Sequence, residues 1–187
     1  GKRRNQNGAV ARLCHYYEML ALSLLTLAIW LYLTFFNGKF WLPEPAPYPE
    51  LPEVTPVVVA IIPARNEAET IAETIKTLLE QDYDELKIVL VDDESGDNTS
   101  EIARNIFLDH NRGRSLQIVK GEPRPTGWSG KVWAMHQGVM AAQKWVPDAD
   151  YYLLSDADIH HTKGVVRRLA AIAKAENNDM VSYMVRL

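Results

Sequence analysis

"VVVAIIPARNEAETIAETIKTLLEQDYDELKIVLVDD", residues 57–93, contains one full unit of an alternating architecture. Its first six residues, "VVVAII" (57–62), are a continuous apolar run rich in β-branched side chains, the pattern of a strand buried on both faces. Residues 67–81 change to a helical period. Ala68, Ile71, Ile75, Leu78 and Leu79 share one face, and Asn66 with Glu69 three residues later forms a candidate capping pair. "KIVLV" (87–91) returns to strand. Strand, helix and strand joined by short connections predict two parallel strands linked by a crossover helix.

The alternation continues outward from this unit. The pattern predicts a helix over 97–109 with Ile102 and Ile106 inward, a strand at 116–119, a helix at 131–144 and a strand "YYLLS" at 151–155. A helix at 163–176 and a fifth strand at 180–185 follow. The expected fold is therefore an α/β domain over residues 57–187, Rossmann-like, with a mainly parallel sheet and helices on both faces. Ligands of such sheets bind at the carboxyl ends of the strands. The polar clusters fall there: Pro63-Ala64-Arg65-Asn66-Glu67 after the first strand, Asp92-Asp93-Glu94-Ser95 after the second, the loop 120–130 after the third, and Asp156-Ala157-Asp158 after the fourth.

Upstream, the chain changes character. Residues 19–36, "MLALSLLTLAIWLYLTFF", carry no charge. As a helix they would measure about 27 Å, close to the roughly 30 Å of a bilayer core, and so form a candidate transmembrane helix. Ser23, Thr26 and Thr34 are too few for the polar stripe of a core helix, and "FFNGKFW" lacks the small-residue cleavage site of a signal peptide. Tyr16, Tyr17, Phe40 and Trp41 flank the run where an aromatic belt would lie. Before it stands a basic segment, 1–18. After it comes a spacer, 37–56, whose stretch 43–56 holds six of the ten prolines and is expected to be semi-rigid.

Charge divides along the same line. Residues 1–39 carry a net +4 and residues 40–187 a net −8, so the domain is a poor general binder of nucleic acid. A phosphorylated ligand would need local cations. The single cysteine, Cys14, excludes an internal disulfide and a cysteine-based zinc site.

Two clusters carry chemistry. Asp156 and Asp158 repel each other unless a positive charge lies between them. Mg²⁺ or Mn²⁺ commonly takes one or two carboxylates and completes its shell with water and substrate phosphates, so a metal with a diphosphate answers the repulsion. Taken alone, the pair fits better a solvated turn capping the next helix, the usual place of aspartate in loops. Gly130-Lys131 opens a helix whose free amides and dipole can receive an anion, with Lys131 as a point charge. It is not a Walker A loop, because Pro125 stands where the first glycine is needed and Val132 follows the lysine; an ordinary glycine turn is the alternative. His160 and His161 point to opposite faces of an extended segment, and both are expected to face solvent.

The ordered set Pro63-x-Arg65-Asn66-Glu67, Asp92-Asp93-x-Ser95, Gly130-Lys131 and Asp156-x-Asp158 resembles the family 2 glycosyltransferases, which have a GT-A fold. "PARNEAETI", "VDDESGDNT", "GWSGKVWAMHQG" and "LLSDADIHH" look most like the hopene-associated branch, membrane enzymes encoded with hopanoid synthesis. The resemblance implies that Pro63, Arg65 and Glu67 line a nucleotide pocket and that Asp93, with Asp92 beside it, holds the base or ribose. Lys131 would approach the pyrophosphate, Asp156 the ribose or sugar, and Asp158 the Mn²⁺ or Mg²⁺ that bridges the phosphates, with Asp156 as its neighbour in the metal site.

It also implies transfer of a sugar, with inversion, from a nucleotide diphosphate donor, UDP-sugar being expected, to a lipid or polyprenol-type hydroxyl. In the family the acceptor base lies farther along than Leu187, so the chain reads as the N-terminal, donor-binding part. Bacterial nucleotide sugars are cytoplasmic, which places the domain on the cytoplasmic side of the inner membrane; the basic N-terminus argues for the opposite orientation. A nucleotidyltransferase of similar fold, a haloacid-dehalogenase phosphatase and a non-catalytic nucleotide-sugar-binding membrane module are the competing readings. The first would carry a glycine-rich loop where this chain has "PARNEAE", and the second would place its D-x-D after the first strand.

Overall fold

The computed structural model describes residues 2–36, 50, 55–110 and 115–182. The chain divides into two units, Gly1–Pro47 and Tyr48–Leu187. In the first, α1 runs unbroken from Lys2 to Phe35. The basic segment expected to precede the apolar helix is thus its N-terminal half. His15–Phe35 is long and apolar enough to cross a membrane, by length and composition. Its large side chains, Leu22, Leu25 and Trp30 among them, are exposed. The Ser23 and Thr26 hydroxyls donate to the carbonyls of Met19 (2.9 Å) and Leu22 (2.8 Å), so both are satisfied within the helix. Of the spacer 37–56, only Glu50, Thr55 and Pro56 are described. Pro56 is buried and its carbonyl accepts the Tyr83 hydroxyl, so it already belongs to the second unit.

The second unit holds β1 (Val58–Ala64), α2 (Ile71–Leu79), β2 (Leu86–Asp92), α3 (Thr99–His110), β3 (Ser115–Lys120), α4 (Gly130–Trp145), β4 (Tyr151–Leu154) and α5 (Val165–Glu176). The strands pair in parallel in the order β3-β2-β1-β4. One face of the sheet, through Ala60, Ile62, Ile88 and Leu90, packs with Ile71, Ile75 and Leu78 of α2, Ala103 of α3 and Val166 and Ala170 of α5. The other, through Val59, Ile61, Val89 and Val91, packs on Ala134 and Ala142 of α4. Helices on both faces explain why β1 and β2 read as unbroken apolar runs.

Pro63 lies in a central strand, where a missing amide normally breaks a ladder. Pairing of β1 with β4 ends at Ile61–Leu154, and the Ser155 amide donates to the Ile61 carbonyl (3.2 Å). Pro63 faces that same side two residues later, past the end of β4, so its missing amide costs no ladder bond.

Two expectations are corrected. α2 starts at Ile71, after a turn over 68–70, and Asn66 with Glu69 does not cap it. Asn66 instead adopts the left-handed conformation (φ 57°), which asparagine tolerates, and its Oδ1 accepts the Gly96 amide (2.7 Å). A partner in the loop after β2 outcompetes the local cap. Of the expected fifth strand, residues 180–182 form no strand, and 183–185 lie outside the described residues.

Candidate functional site

From β1 the chain steps outward to β2 and β3, then returns to place β4 on the far side of β1. Strand order reverses between β1 and β4, the position at which open α/β sheets form a ligand crevice beyond their carboxyl ends. Register aligns Ala64, Asp92 and Lys120 in one row at that edge.

The loops after β1 and β2 interlock. Asn66 N donates to Ser95 Oγ (3.1 Å), Glu67 N to Thr99 Oγ1 (2.9 Å) and Ala68 N to an Asp97 carboxylate oxygen (3.1 Å). Asp97 also accepts the Thr99 amide and hydroxyl, which sets the start of α3 two residues later than the sequence pattern predicts. The Glu67 carboxylate accepts the Thr70 hydroxyl (2.8 Å) and so stays close to the start of α2.

Asp92 and Asp93 divide their work. The Asp92 carboxylate accepts the Ser95 amide (2.9 Å) and the Ser100 hydroxyl, and its own carbonyl accepts the Gly121 amide (2.8 Å). Burial pushes this carboxyl up, but the hydrogen bonds from Ser100 and Ser95 outweigh it and hold the pKa below the usual carboxylate value. Asp93 is 8% exposed, and its Oδ2 lies 3.7 Å from Arg65 Nη1. Gly121 passes directly beneath it: a Cβ there would stand 3.0 Å from the Asp92 carbonyl oxygen and 3.1 Å from Asp93 Cα. Only glycine fits that approach without a backbone shift.

The loop after β3 is tied to α4. Glu122 N donates to Gln137 Oε1 (2.7 Å), Trp133 Nε1 donates to the Glu122 carbonyl (2.9 Å), and Ser129 caps the helix by accepting from Val132 N (3.4 Å). The helix N-terminus is thereby brought to Asp93, whose Oδ2 would lie 3.8 Å from a Cβ on Gly130. One residue on, Lys131 Nζ meets Asp156 Oδ1 at 2.6 Å. Four of the expected groups thus fall into two close pairs, Arg65 with Asp93 and Lys131 with Asp156, and Asp93 approaches the start of α4 at Gly130, next to Lys131. Asp158 is exposed and has no ion-pair partner among the described residues.

The repulsion between Asp156 and Asp158 is therefore relieved in part by Lys131. Among the described residues no group of three or more His, Cys, Asp or Glu could cage a metal. One outward carboxylate with a second beside it fits a hard cation that completes its shell from phosphate oxygens and water. His160 and His161 separate. His160 Nδ1 lies 3.0 Å from Glu73 Oε1 on the surface, as expected of a solvent-facing residue. His161 is buried, which corrects the expectation for it, and its Nε2 lies 2.9 Å from Ser155 Oγ.

The match to protein families adds to this geometry. The model of glycosyl transferase family 2 matches residues 59–186. The chain belongs to glycosyl transferase family 2. It is 26% identical over 130 residues to a 4,4'-diaponeurosporenoate glycosyltransferase of Staphylococcus haemolyticus, covering 70% of this chain and 32% of that protein. Glycosyltransferase GlyG of Streptococcus pneumoniae is 26% identical over 126 residues, covering 67% and 38%. The chain spans about a third of the length of these curated relatives. Among solved structures, the mannosyltransferase PcManGT of Pyrobaculum calidifontis, in complex with GDP-Man and Mn²⁺, superposes with a TM-score of 0.56 at 24% identity, over 75% of this chain and 39% of that one. S. aureus TarS 1-349 gives 0.52 at 24%, over 64% and 33%. The parallel α/β fold is that of the GT-A glycosyltransferases.

Asp97, Thr99 and Ser100, which lock the loops after β1 and β2, and Gln137 and Trp133, which hold the third loop, carry no sequence signal of a direct role in binding. An Asp-x-Thr at a helix start does announce a cap, and that is the signal by which Asp97 and Thr99 could have been found.

Proposed function

We propose that residues 57–187 form the donor-binding domain of a membrane-anchored glycosyltransferase that transfers a sugar from a nucleotide diphosphate, UDP-sugar in the first instance, to a lipid or polyprenol-type hydroxyl with inversion. The observation that carries the reading is the two charge pairs, Arg65 with Asp93 and Lys131 with Asp156, with Asp93 close to the start of α4, at the switch point of a family 2 domain. Asp93, nearly buried and flanked by Gly121 and Gly130, suits a fixed acceptor for base or ribose donors. Asp92 shapes the turn that presents it, and Pro63, Arg65 and Glu67 form the pocket's other wall.

Lys131 and the α4 N-terminus face the diphosphate. An exposed ion pair is worth only about 0–1 kcal/mol, so Lys131 can exchange Asp156 for phosphate at little cost. Asp156 is then released toward the ribose or sugar. Asp158, with Asp156 beside it, would hold Mn²⁺ or Mg²⁺, which would supply Lewis-acid neutralisation of the departing nucleoside diphosphate. Lys131 and the helix amides stabilise the same charge electrostatically.

His15–Phe35 supports the membrane anchor, and the wording of the four motifs supports the hopanoid-related branch. A lipid-type acceptor agrees with the anchor and with one relative's being named for 4,4'-diaponeurosporenoate. The domain is assigned to the cytoplasmic face of the bacterial inner membrane, where nucleotide sugars are made. Protease cleavage within 43–56 in inverted vesicles but not in intact cells supports that orientation, and the reverse pattern contradicts it. Equilibrium dialysis with UDP-, GDP- and CDP-sugars tests the donor. Retention of one series, undisturbed by ATP, is the expected result. Preferential binding of a nucleoside triphosphate with release of pyrophosphate would instead assign a nucleotidyltransferase.

A further inference from the structure

The segment between β4 and α5, residues 155–164, has neither helix nor strand, and yet parts of its backbone are buried. Such groups need hydrogen-bond partners from elsewhere. One face of α2, and Gln81 two residues past its end, supply them. Thr74 Oγ1 donates to the Ala157 carbonyl (2.7 Å). The His161 amide donates to Thr77 Oγ1 (3.2 Å). Gln81 Nε2 donates to the carbonyls of His161 (3.3 Å) and Thr162 (3.1 Å).

Thr74 and Thr77, on a helix whose other buried residues are Ile71, Ile75, Leu78 and Leu79, are 1% and 5% exposed, and Gln81, two residues past its end, is 3% exposed. Packing alone would accept valine or leucine there. The three polar side chains have in common that they hold the backbone of the acidic loop. Ala157, the residue between the two aspartates, is itself buried in the core cluster beside α2. With its carbonyl tied down by Thr74, Asp156 and Asp158 are fixed on either side of an immobile centre. The N-terminal end of the same helix continues directly from the loop 65–70, which carries Arg65 and Glu67.

We infer that Thr74, Thr77 and Gln81 are positioning residues: α2 acts as a ruler that sets the acidic loop, and Asp158 in particular, at the distance from the β1 loop that a metal-bound nucleoside diphosphate requires. This rests on the donor-site reading above. The hydroxyls act through Asp158 and touch no ligand themselves. Threonine to valine keeps the volume and removes the bond; threonine to serine keeps the bond.

The test titrates Mn²⁺ into the detergent-solubilised 187-residue chain at saturating UDP, and separately GDP, and reads nucleotide binding by calorimetry. Thr74→Val is expected to raise the half-saturating Mn²⁺ concentration roughly tenfold, the effect of losing about one hydrogen bond, and Thr74→Ser to restore it. Thr77→Val and Thr77→Ser form an independent pair with the same expectation. Valine variants that keep the wild-type Mn²⁺ midpoint overturn the inference. So does loss of the folded circular dichroism spectrum in both valine variants, which would make the stripe a stability element. A folded wild-type chain that binds neither nucleotide would instead remove the donor-site reading on which the inference stands.

Discussion

Under the acidic loop, burial and, secondarily, the neighbouring His160 push the pKa of His161 down to about 4, against an ordinary value of 6.5. Above the ordinary value both folded and unfolded chains carry it neutral, so it has no effect on stability there. As pH falls from 6.5 towards 4, the unfolded chain takes up a proton that the folded chain refuses, and stability falls by about 2 kcal/mol between pH 7 and pH 5. Thermal melts over that range should show the loss, and His161→Gln should flatten it; an equal slope in both proteins would show that the slope has another source. Nothing in "DADIHH" distinguishes the buried histidine from the exposed one, because the difference is made by Ser155 and by the face of α2 beneath. The sequence marks Lys131 and Asp156 as candidates for the site, but nothing in it marks them as partners. Since both are largely exposed, Lys131→Ala should cost no more than about 1 kcal/mol of stability. Nucleotide affinity in the same variant should fall at least roughly tenfold, as expected for loss of a charged hydrogen bond. Melting and calorimetry on one preparation separate the two effects.

At the scale of elements, the periodicities predict α4 at 131–144, and it is found at Gly130–Trp145. What they do not reveal is why Gly138 stands in its middle, where glycine ordinarily weakens a helix. A methyl group there would collide with Ile61 Cγ2 and stand 3.0 Å from Val91 Cγ2, so α4 lies against the sheet too closely for any side chain. Gly138→Ala should therefore destabilise by about 1–3 kcal/mol despite its better helix propensity, and a chemical denaturation midpoint will show it. A gain in stability would mean that the helix stands farther from the sheet. α2 teaches the complementary lesson. Its apolar face was legible from spacing, while its start was not, because Asn66 serves Gly96 across the loop and leaves the local cap unmade. Tertiary hydrogen bonds with partners about thirty residues away leave no local pattern to read.

For the molecule as a whole, the apolar run was legible from its length and composition, and the strand–helix alternation from the periodicity that burial imposes. The convergence of four loops was legible because parallel sheets collect ligands at one edge. Their interlocking was not. If His15–Phe35 anchors the chain, the full chain should remain in the membrane pellet after alkaline carbonate washing, while a form lacking residues 1–36 should be released; release of the full chain would contradict the anchor. The central claim is that the loops after β1 to β4 form a single donor site completed by a divalent metal. Calorimetric titration with UDP, GDP and CDP, with and without Mn²⁺, beside Asp158→Ala, tests it most directly. The account predicts that one nucleotide binds in a Mn²⁺-dependent manner and that Asp158→Ala abolishes the dependence. Metal-independent binding unchanged by Asp158→Ala, or no binding by a demonstrably folded protein, would contradict it.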